Sequence, residues 1–312
     1  MQKLQRPNDN NCVGRLNCWR MTQQPQHISI YDPASAPATQ ALLREIGAAP
    51  NRTMGQNFLI SGAVLDRIVA TAEVSEQDSV LEVGPGLGAL TCRLVRAAGQ
   101  VAAIEKDRQF IGLLARHLPV PNLRVLEGDA LRVAWSDLEL PADGVKVVAN
   151  LPYFISKPML RRFLEEWRTH FLSLTILVQR EVADRIVAQP ATPAYGPMAI
   201  MSQLYGEPSR VFDVKPGSFL PAPNVTSSVV HIRVLPTPRL ELRDERFFWR
   251  VVNAAFGQRR KQLANTLRAV IADKDALAVA LTEAGIDPQR RGETLSLQEF
   301  ARLSDLLSTR TT

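Results

Sequence analysis

Residues 79–88 read SVLEVGPGLG, a short apolar run that ends in three closely spaced glycines. A short apolar run bounded by glycine is typical of a buried strand in a parallel sheet. Glycines directly after such a strand let the backbone pass close to a ligand at the carboxyl edge of the sheet. The stretch therefore predicts a strand, a tight ligand-binding loop and the beginning of a helix.

Outward from this loop, apolar runs alternate with helical patterns of apolar residues. The predicted strands lie at residues 101–104, 123–126, 145–149, 174–178 and 227–235, and the predicted helices at 39–46, 63–72, 90–98, 107–118, 157–167 and 181–188. Strands that alternate with helices predict an α/β fold, a Rossmann-like parallel sheet with helices on both faces. The last strand is expected to belong to an antiparallel pair at the edge of the sheet.

The pattern changes at both ends of this region. Beyond a proline-rich joint at 236–238, only helical patterns follow, at 244–257, 260–272, 275–284 and 296–308. We therefore predict an α/β domain over residues 39–237 and a small all-helical domain over 238–312. Residues 1–38 are rich in Asn, Gln, Pro and Ser and are predicted to be a disordered tail. Either the whole stretch is a true flexible tail, or Met21 is the natural start and only residues 1–20 are an extension before it.

Composition excludes several classes of protein. The chain has 312 residues, of which 46% are hydrophobic and 22% charged, as is ordinary for a soluble globular protein. It contains no apolar run of the roughly 20 residues that span a bilayer and no signal-peptide core, so we expect a cytoplasmic protein without a membrane partner. Its three cysteines form neither a disulfide framework nor a metal-binding spacing, so we expect no metal. The net charge of +6 suits a nucleic acid partner, and nothing in the sequence requires more than a monomer.

Three carboxylates accompany the glycine loop. Glu105 ends the next predicted strand, where such folds hold a ribose, and Asp129 ends the third, where a carboxylate can accept from an adenine amino group. The loop has the spacing G-x-G-x-G instead of G-x-G-x-x-G, and Pro85 has no N–H to donate to a pyrophosphate. Glu82 can face a positive charge. The set favours S-adenosylmethionine, a sulfonium cofactor, over a dinucleotide.

A second motif, Asn150-Leu151-Pro152-Tyr153, directly follows the predicted strand at 145–149. The Asn150 side-chain carbonyl and a backbone carbonyl at the proline turn offer two acceptors, which match the two N–H donors of an exocyclic amino group. Tyr153 can stack on the plane of the base. The motif predicts a site that orients an adenine amine toward a methyl donor.

From about Arg52 to Leu307 the sequence resembles the KsgA/RsmA family of small-subunit (16S) ribosomal RNA adenine dimethyltransferases. The shared segments lie at residues 55–59, 82–88, 105, 129, 150–153, 179–182, 194–196, 219–229, 256–261, 285–291 and 295–300. Two features depart from the family pattern: the N-terminal tail is longer, and residues 51–54 are less basic.

The resemblance implies an enzyme that uses S-adenosylmethionine. On the matching positions it implies that Asn57, Leu59, Gly84 and Gly86 contact the cofactor, that Glu105 holds its ribose and Asp129 its adenine. It implies that Asn150 binds both cofactor and target amine, with Leu151 and Pro152 in the same motif, and that Tyr153 and Phe219 sandwich the target base. It further implies dimethylation of two adjacent adenosines near the 3′ end of small-subunit rRNA during ribosome assembly.

Basic residues are concentrated in the segment Arg259-Arg260-Lys261, with Arg268 and Arg290-Arg291 further along. Such a cluster is expected to contact RNA phosphates.

Two other functions remain open at this stage. One is a macrolide-resistance methyltransferase that acts on large-subunit rRNA, against which Gly55 and the segment at 285–300 argue. The other is a relative that binds RNA or assembling ribosomes without catalysis, against which the intact motif at 150–153 argues.

Overall fold

A seven-stranded sheet forms the centre of the computed structural model, which describes residues 31–50, 56–258 and 260–310. Within these residues the strands are β1 Phe58–Leu59, β2 Ser79–Val83, β3 Gln100–Glu105, β4 Leu123–Glu127, β5 Val145–Asn150, β6 Phe171–Gln179, β7 Gly206–Val214, β8 Phe219–Leu220 and β9 Ser227–Val234. The large sheet has the order β4-β3-β2-β5-β6-β9-β7, and β1 pairs with β8 in a separate two-stranded ribbon.

Helices cover this sheet and extend beyond it. They are α1 Ala36–Glu45, α2 Gly62–Thr71, α3 Thr91–Ala97, α4 Arg108–His117, α5 Ser156–Arg161, α6 Arg180–Val187, α7 Pro197–Tyr205, α8 Glu245–Gly257, α9 Leu263–Thr266, α10 Lys274–Glu283 and α11 Leu297–Ser308. A π-helical turn, Arg162–Glu166, continues α5. Among the described residues no helix is long and apolar enough to cross a membrane.

The order of the strands places a crevice at the middle of the sheet. From β2 the chain proceeds to β3 and β4 on one side, then returns to β5 on the other side of β2. Right-handed crossovers in opposite directions put their helices on opposite faces, so the predicted α/β class is confirmed. The loops after β2 and β5 leave the sheet edge in different directions and open a crevice between them. Gly84 and Asn150 stand on its two sides.

The predicted antiparallel pair at the edge is confirmed, but its outer strand was missed. β9 runs antiparallel to both β6 and β7, and β7 forms the edge. The sequence of β7, GEPSRVFDV, has few apolar residues because much of the strand is exposed. Pro208 is tolerated there because an edge strand has unpaired positions. Helix α7 just before it was missed as well.

The C-terminal helices differ from expectation in one place. The helix predicted over 260–272 is wrong in extent, since α9 spans only Leu263–Thr266 before a 3-10 turn. The first amides of α9 instead bond the loop after α10: Leu263 N donates to the Arg290 carbonyl at 2.8 Å. Buried residues of the sheet and of these helices form one continuous apolar cluster. The boundary at 237/238 therefore stays a prediction.

The first helix begins before residue 39, where the sequence predicted that the folded region starts. Helix α1 begins at Ala36, with the Ser35 Oγ accepting from Ala38 N at 3.3 Å and Pro37 in the first turn. Both are helix-start signals, so the predicted tail boundary at residue 38 is too late. The predicted tail up to residue 30, Met21, the segment 51–55 with Gly55, and Arg259 lie outside the described residues.

Candidate active site at the carboxyl edge of the sheet

A cavity of about 340 Å³ lies at the crevice, a size suited to a small molecule. Its walls come from the segment before α2 and from the loops that follow β2, β3, β4 and β5. Ten of the residues singled out from the sequence line it: Asn57, Leu59, Gly84, Gly86, Glu105, Asp129, Asn150, Leu151, Pro152 and Tyr153. The structure therefore brings together residues that are up to about a hundred positions apart in the sequence.

The conformation of the glycine loop depends on glycines, which have no Cβ atom. Gly84 and Gly86 have φ values of +71° and +53°, in the left-handed region that side chains disfavour. A Cβ added to Gly84 would lie 3.2 Å from Pro152 Cγ, and one on Gly86 would lie 3.3 Å from a ring carbon of Phe58. The ligand loop thus packs directly on the motif at 150–153.

Glu105 is the last residue of β3 and is 8% exposed. Its Oε2 accepts from Gly86 N at 3.0 Å, and its Oε1 accepts from Lys106 N at 2.8 Å and Asp107 N at 2.9 Å. Burial raises the pKa of this carboxyl, and the three backbone donors oppose that shift. The carboxylate is fixed at the cavity wall with spare acceptor capacity, as a site for sugar hydroxyls requires.

Glu82 lies in β2 directly before the glycine loop and is 1% exposed. Its Oε2 has no hydrogen-bond partner although it is buried, and the residue lines the cavity. Burial raises the pKa of Glu82 to about 8; the Thr91 hydroxyl opposes this shift and the charge of Glu105 adds to it. A buried unpaired carboxyl is costly, so it marks a place where a positively charged ligand group would be stabilised.

Asp129 lies two residues beyond β4 with its side chain partly exposed. Its Oδ1 accepts from Leu131 N at 3.0 Å, and its Oδ2 lies 3.2 Å from Lys106 Nζ. The Leu131 amide and the Lys106 charge lower the pKa of Asp129, so the group stays ionised. Each carboxylate oxygen has a second acceptor position, which remains available to an amino group. Asn57 and Leu59 also line the cavity.

In the described part of the chain, the motif at 150–153 has two hydrogen-bond acceptors without a donor, the Asn150 side-chain oxygen and the Leu151 carbonyl, and a third acceptor, the Pro152 carbonyl, that is already bonded. The Pro152 carbonyl accepts from Ile155 N and from Ser156 Oγ, each at 3.1 Å. Among the described residues, no donor reaches the Asn150 carboxamide oxygen or the Leu151 carbonyl. The backbone acceptor of this site is therefore Leu151, because the Pro152 carbonyl is already occupied.

Of the two aromatic residues predicted to sandwich a base, Tyr153 lines the cavity and Phe219 does not. Tyr153 lines the cavity, and its hydroxyl shares a 2.7 Å hydrogen bond with Ser227 Oγ at the beginning of β9. Burial raises the pKa of the Tyr153 hydroxyl, which therefore stays protonated. Phe219, in β8 opposite Leu59, is 3% exposed and is not among the cavity-lining residues. Its predicted contact with a base stays a prediction.

Some functional side chains were not found from the sequence. Ser156 and Ser227 fix the motif at 150–153 through its carbonyl and its tyrosine hydroxyl, but isolated serines give no signal in a pattern of apolar residues. Ser227 lies in the shared segment 219–229, but the resemblance assigns it no role. The contact between Gly84 and Pro152 joins two motifs that are separate in the sequence, and only the strand order reveals it.

The basic cluster is only partly available for RNA. Arg260 and Lys261 are exposed, and no acidic partner is found for them in the described part of the chain. Arg290, in contrast, donates to the Thr294 carbonyl at 2.7 Å and to Glu299 at 3.2 Å. It ties the loop before α11 to that helix and is a structural residue. No group of three or more potential metal ligands occurs in the described ranges.

Comparison with known proteins decides the family. Residues 48–309 match the family described as ribosomal RNA adenine dimethylase.

The chain belongs to this family.

Three similar proteins carry the same name. A protein of Magnetococcus marinus is 44% identical over 266 residues, covering 85% of this chain and 94% of its own, and is named ribosomal RNA small subunit methyltransferase A. Proteins with the same name from Shouchella clausii and Clostridium botulinum are 43% and 42% identical and cover 88% and 82% of this chain. The resemblance inferred from the sequence motifs is confirmed.

Solved structures of this family and of a related class share the fold. A dimethyladenosine transferase from Plasmodium falciparum superposes with a TM-score of 0.69 at 25% identity, covering 81% of this chain and 98% of its own. The 23S rRNA methyltransferase ErmE superposes with a TM-score of 0.59, also at 25% identity, covering 81% of this chain and all of its own.

Proposed function

We propose that this protein uses S-adenosylmethionine to dimethylate the N6 amino groups of two adjacent adenosines near the 3′ end of 16S rRNA, during assembly of the small ribosomal subunit in the cytoplasm. The observation that carries the proposal is the pair of unpaired acceptors, Asn150 and Leu151, at the wall of the cavity that the glycine loop forms. A two-donor amino group is the complement of such a pair.

The cavity has the features that the cofactor requires. Glu82 has a buried carboxylate oxygen without a partner, which suits a cationic amino acid moiety. Gly84 and Gly86 keep the loop free of side chains, Glu105 offers acceptors to ribose hydroxyls, and Asp129 offers one to the adenine amine. S-adenosylmethionine would supply a methyl group activated by its sulfonium charge. These residues bind and orient the cofactor, and we assign none of them a proton transfer.

The target amine needs orientation more than activation. The N6 lone pair of adenine is delocalised into the ring, so a planar amine is a poor nucleophile. When the Asn150 and Leu151 carbonyls each accept one N–H, the amine is held in a fixed direction and a pyramidal geometry is favoured. Tyr153 stacks on the base, and its bond to Ser227 keeps the ring in place. A base within an RNA helix must first be extruded to reach this position.

We propose the small subunit as the substrate because the relatives at 42–44% identity are named ribosomal RNA small subunit methyltransferase A. The 23S rRNA methyltransferase ErmE is less similar, at 25% identity.

The direct test incubates the protein with radiolabelled S-adenosylmethionine and undermethylated small or large ribosomal subunits, followed by nucleoside analysis. We expect N6,N6-dimethyladenosine from small subunits only. Label in large-subunit RNA would instead assign a resistance-type activity. Cofactor binding without label in either subunit would point to a role in RNA binding or ribosome assembly.

Cofactor binding is expected to strengthen as the pH rises from about 6 to 8. In the free protein the pKa of Glu82 is about 8, so the carboxyl is protonated below that pH. A cationic ligand favours its carboxylate, so binding below pH 8 releases a proton and the affinity rises by at most about tenfold per pH unit. Glu105 also faces this carboxyl, and so does Cys92, whose pKa burial raises to about 11.

Calorimetric titration of S-adenosylmethionine in two buffers of different ionisation enthalpy measures the released proton directly. The Glu82→Gln variant is the control, since it should bind more weakly at pH 8 and show no such pH dependence. An affinity that is flat or falls from pH 6 to 8 in the parent protein would contradict the assignment.

The exposed cations after α8 are expected to contact RNA phosphates. Replacing both Arg260 and Lys261 by glutamine should weaken binding to small subunits and lower the slope of log Kd against log salt by about 1 to 2. Arg185→Gln is a suitable control, because Arg185 pairs with Glu181 on α6. A salt slope equal to that of the parent protein would exclude this surface from the RNA interface.

A further inference from the structure

The side chain directly after the motif at 150–153 is an exposed aromatic ring. Phe154 is 56% exposed and lines the mouth of the cavity together with Ile155 and Pro158. Exposed apolar side chains occur elsewhere, for example Leu172 at 51%, but Leu172 lies near the beginning of β6, at the opposite edge of the sheet. An exposed aromatic ring at the entrance of a binding site can contact a bound ligand.

Two hydrogen bonds hold the backbone that carries this ring. Tyr153–Ile155 forms a 3-10 turn that is closed by the bond from Ile155 N to the Pro152 carbonyl. The Ser156 hydroxyl bonds the same carbonyl from the other side. Because the turn is fixed in this way, the ring of Phe154 is presented in one place without a cost for ordering the chain when a ligand binds.

A positive charge accompanies the ring. Lys157 is exposed, and none of the described residues provides it with an acidic partner. Lys157 follows Phe154 by three residues, a spacing at which two side chains of a helical turn share a face. The next cation, Arg161, differs in this respect, since its Nε bonds Glu165 at 2.6 Å. An aromatic ring beside an unpaired cation complements the base and the phosphate of one nucleotide.

We propose that Phe154 and Lys157 form a second nucleotide subsite, in which the ring stacks on the base next to the target adenosine and the ammonium contacts its phosphate. This inference rests on the proposed function, because it takes single-stranded RNA as the substrate. The neighbouring base is stacked equally before and during methyl transfer. The subsite therefore lowers KM for RNA and leaves kcat nearly unchanged.

Kinetics with undermethylated small subunits tests the subsite. Phe154→Ala should lower kcat/KM about 5- to 100-fold, mainly through KM, with an unchanged Kd for S-adenosylmethionine. Phe154→Tyr and Phe154→Trp should restore it, whereas Phe154→Leu, which is apolar but has no ring, should behave like alanine. Lys157→Gln should reduce the salt slope by about 1. Leu172→Ala is the matched control for an exposed apolar side chain and should behave as the parent protein.

A fluorescence measurement tests the subsite independently of catalysis. The indole of Phe154→Trp should be quenched by a short single-stranded oligoadenylate, after subtraction of the signal from the four native tryptophans. The indole of Leu172→Trp should not be quenched. Quenching without methylation by the parent protein would keep the subsite and refute the proposed reaction. A parent that dimethylates adenine, with a Phe154→Leu variant as active as the parent or with no quenching, would refute the subsite alone.

Discussion

Replacement of Asn150 by alanine should lower kcat about 100- to 1,000-fold, the range seen when one preorganised polar partner is removed from an active site. The side-chain oxygen has no described partner in the protein, so its loss leaves the Leu151 carbonyl as the single acceptor for a two-donor amine. The amine then rotates freely, and its lone pair is no longer held toward the methyl donor.

Binding of S-adenosylmethionine is the internal control for this variant. Its Kd should change only by a modest factor, because Glu82, Glu105 and Asp129 are untouched. Single-turnover methylation of undermethylated small subunits gives the rate of the chemical step, and thermal unfolding reports whether the fold is intact. Turnover equal to that of the parent would remove Asn150 from the target site.

Replacement of Gly84 by alanine should lower kcat/KM by about 10-fold or more. Its φ of +71° costs a residue with a Cβ about 1 to 2 kcal/mol. The new methyl group would lie 3.2 Å from Pro152 Cγ, so the cofactor loop and the target motif must move apart. A displacement of about 1 Å costs about two orders of magnitude in rate, and the smaller shift needed to relieve a 3.2 Å contact costs correspondingly less.

Gly144 provides the matched control for this variant. Its φ is +77°, but no atom lies within 4 Å of an added Cβ. Gly144→Ala should therefore lower the free energy of unfolding by a similar amount, equivalent to a few degrees in Tm, while leaving kcat/KM near that of the parent. If both variants lost activity equally, backbone strain and not the contact with Pro152 would be the cause.

The sequence predicts the cofactor half of the site well because local signals mark it. A glycine loop after a buried strand, with Glu105 at the end of the next strand, has few alternative explanations. These signals are short-range, and they place Gly84, Glu105 and Asn150 at one edge before any coordinate is known. The order of the strands was not predicted and comes from the structure.

The features that could not be predicted from the sequence depend on contacts between distant segments. Strand β7 is half-polar because it lies at an edge, so its pattern resembles that of a loop. Phe219 matches its motif, yet it is buried and does not line the cavity. Arg290 belongs to a basic run, but Glu299 is nine residues away and pairs with it. None of these outcomes follows from spacing alone.

The reversed direction of β9 has a consequence for how such a protein can diverge. At the carboxyl edge of the sheet, each parallel strand is followed by its loop. Because β9 runs in the opposite direction, the residues at this edge are those that precede it, residues 221–226, together with Ser227. The cofactor loops and this segment therefore lie at the same edge of the sheet although they come from unrelated parts of the chain, and Ser227 contacts Tyr153 there. We expect exchanges within 221–226 to change the surroundings of Tyr153 while the glycine loop and Glu105 stay in place.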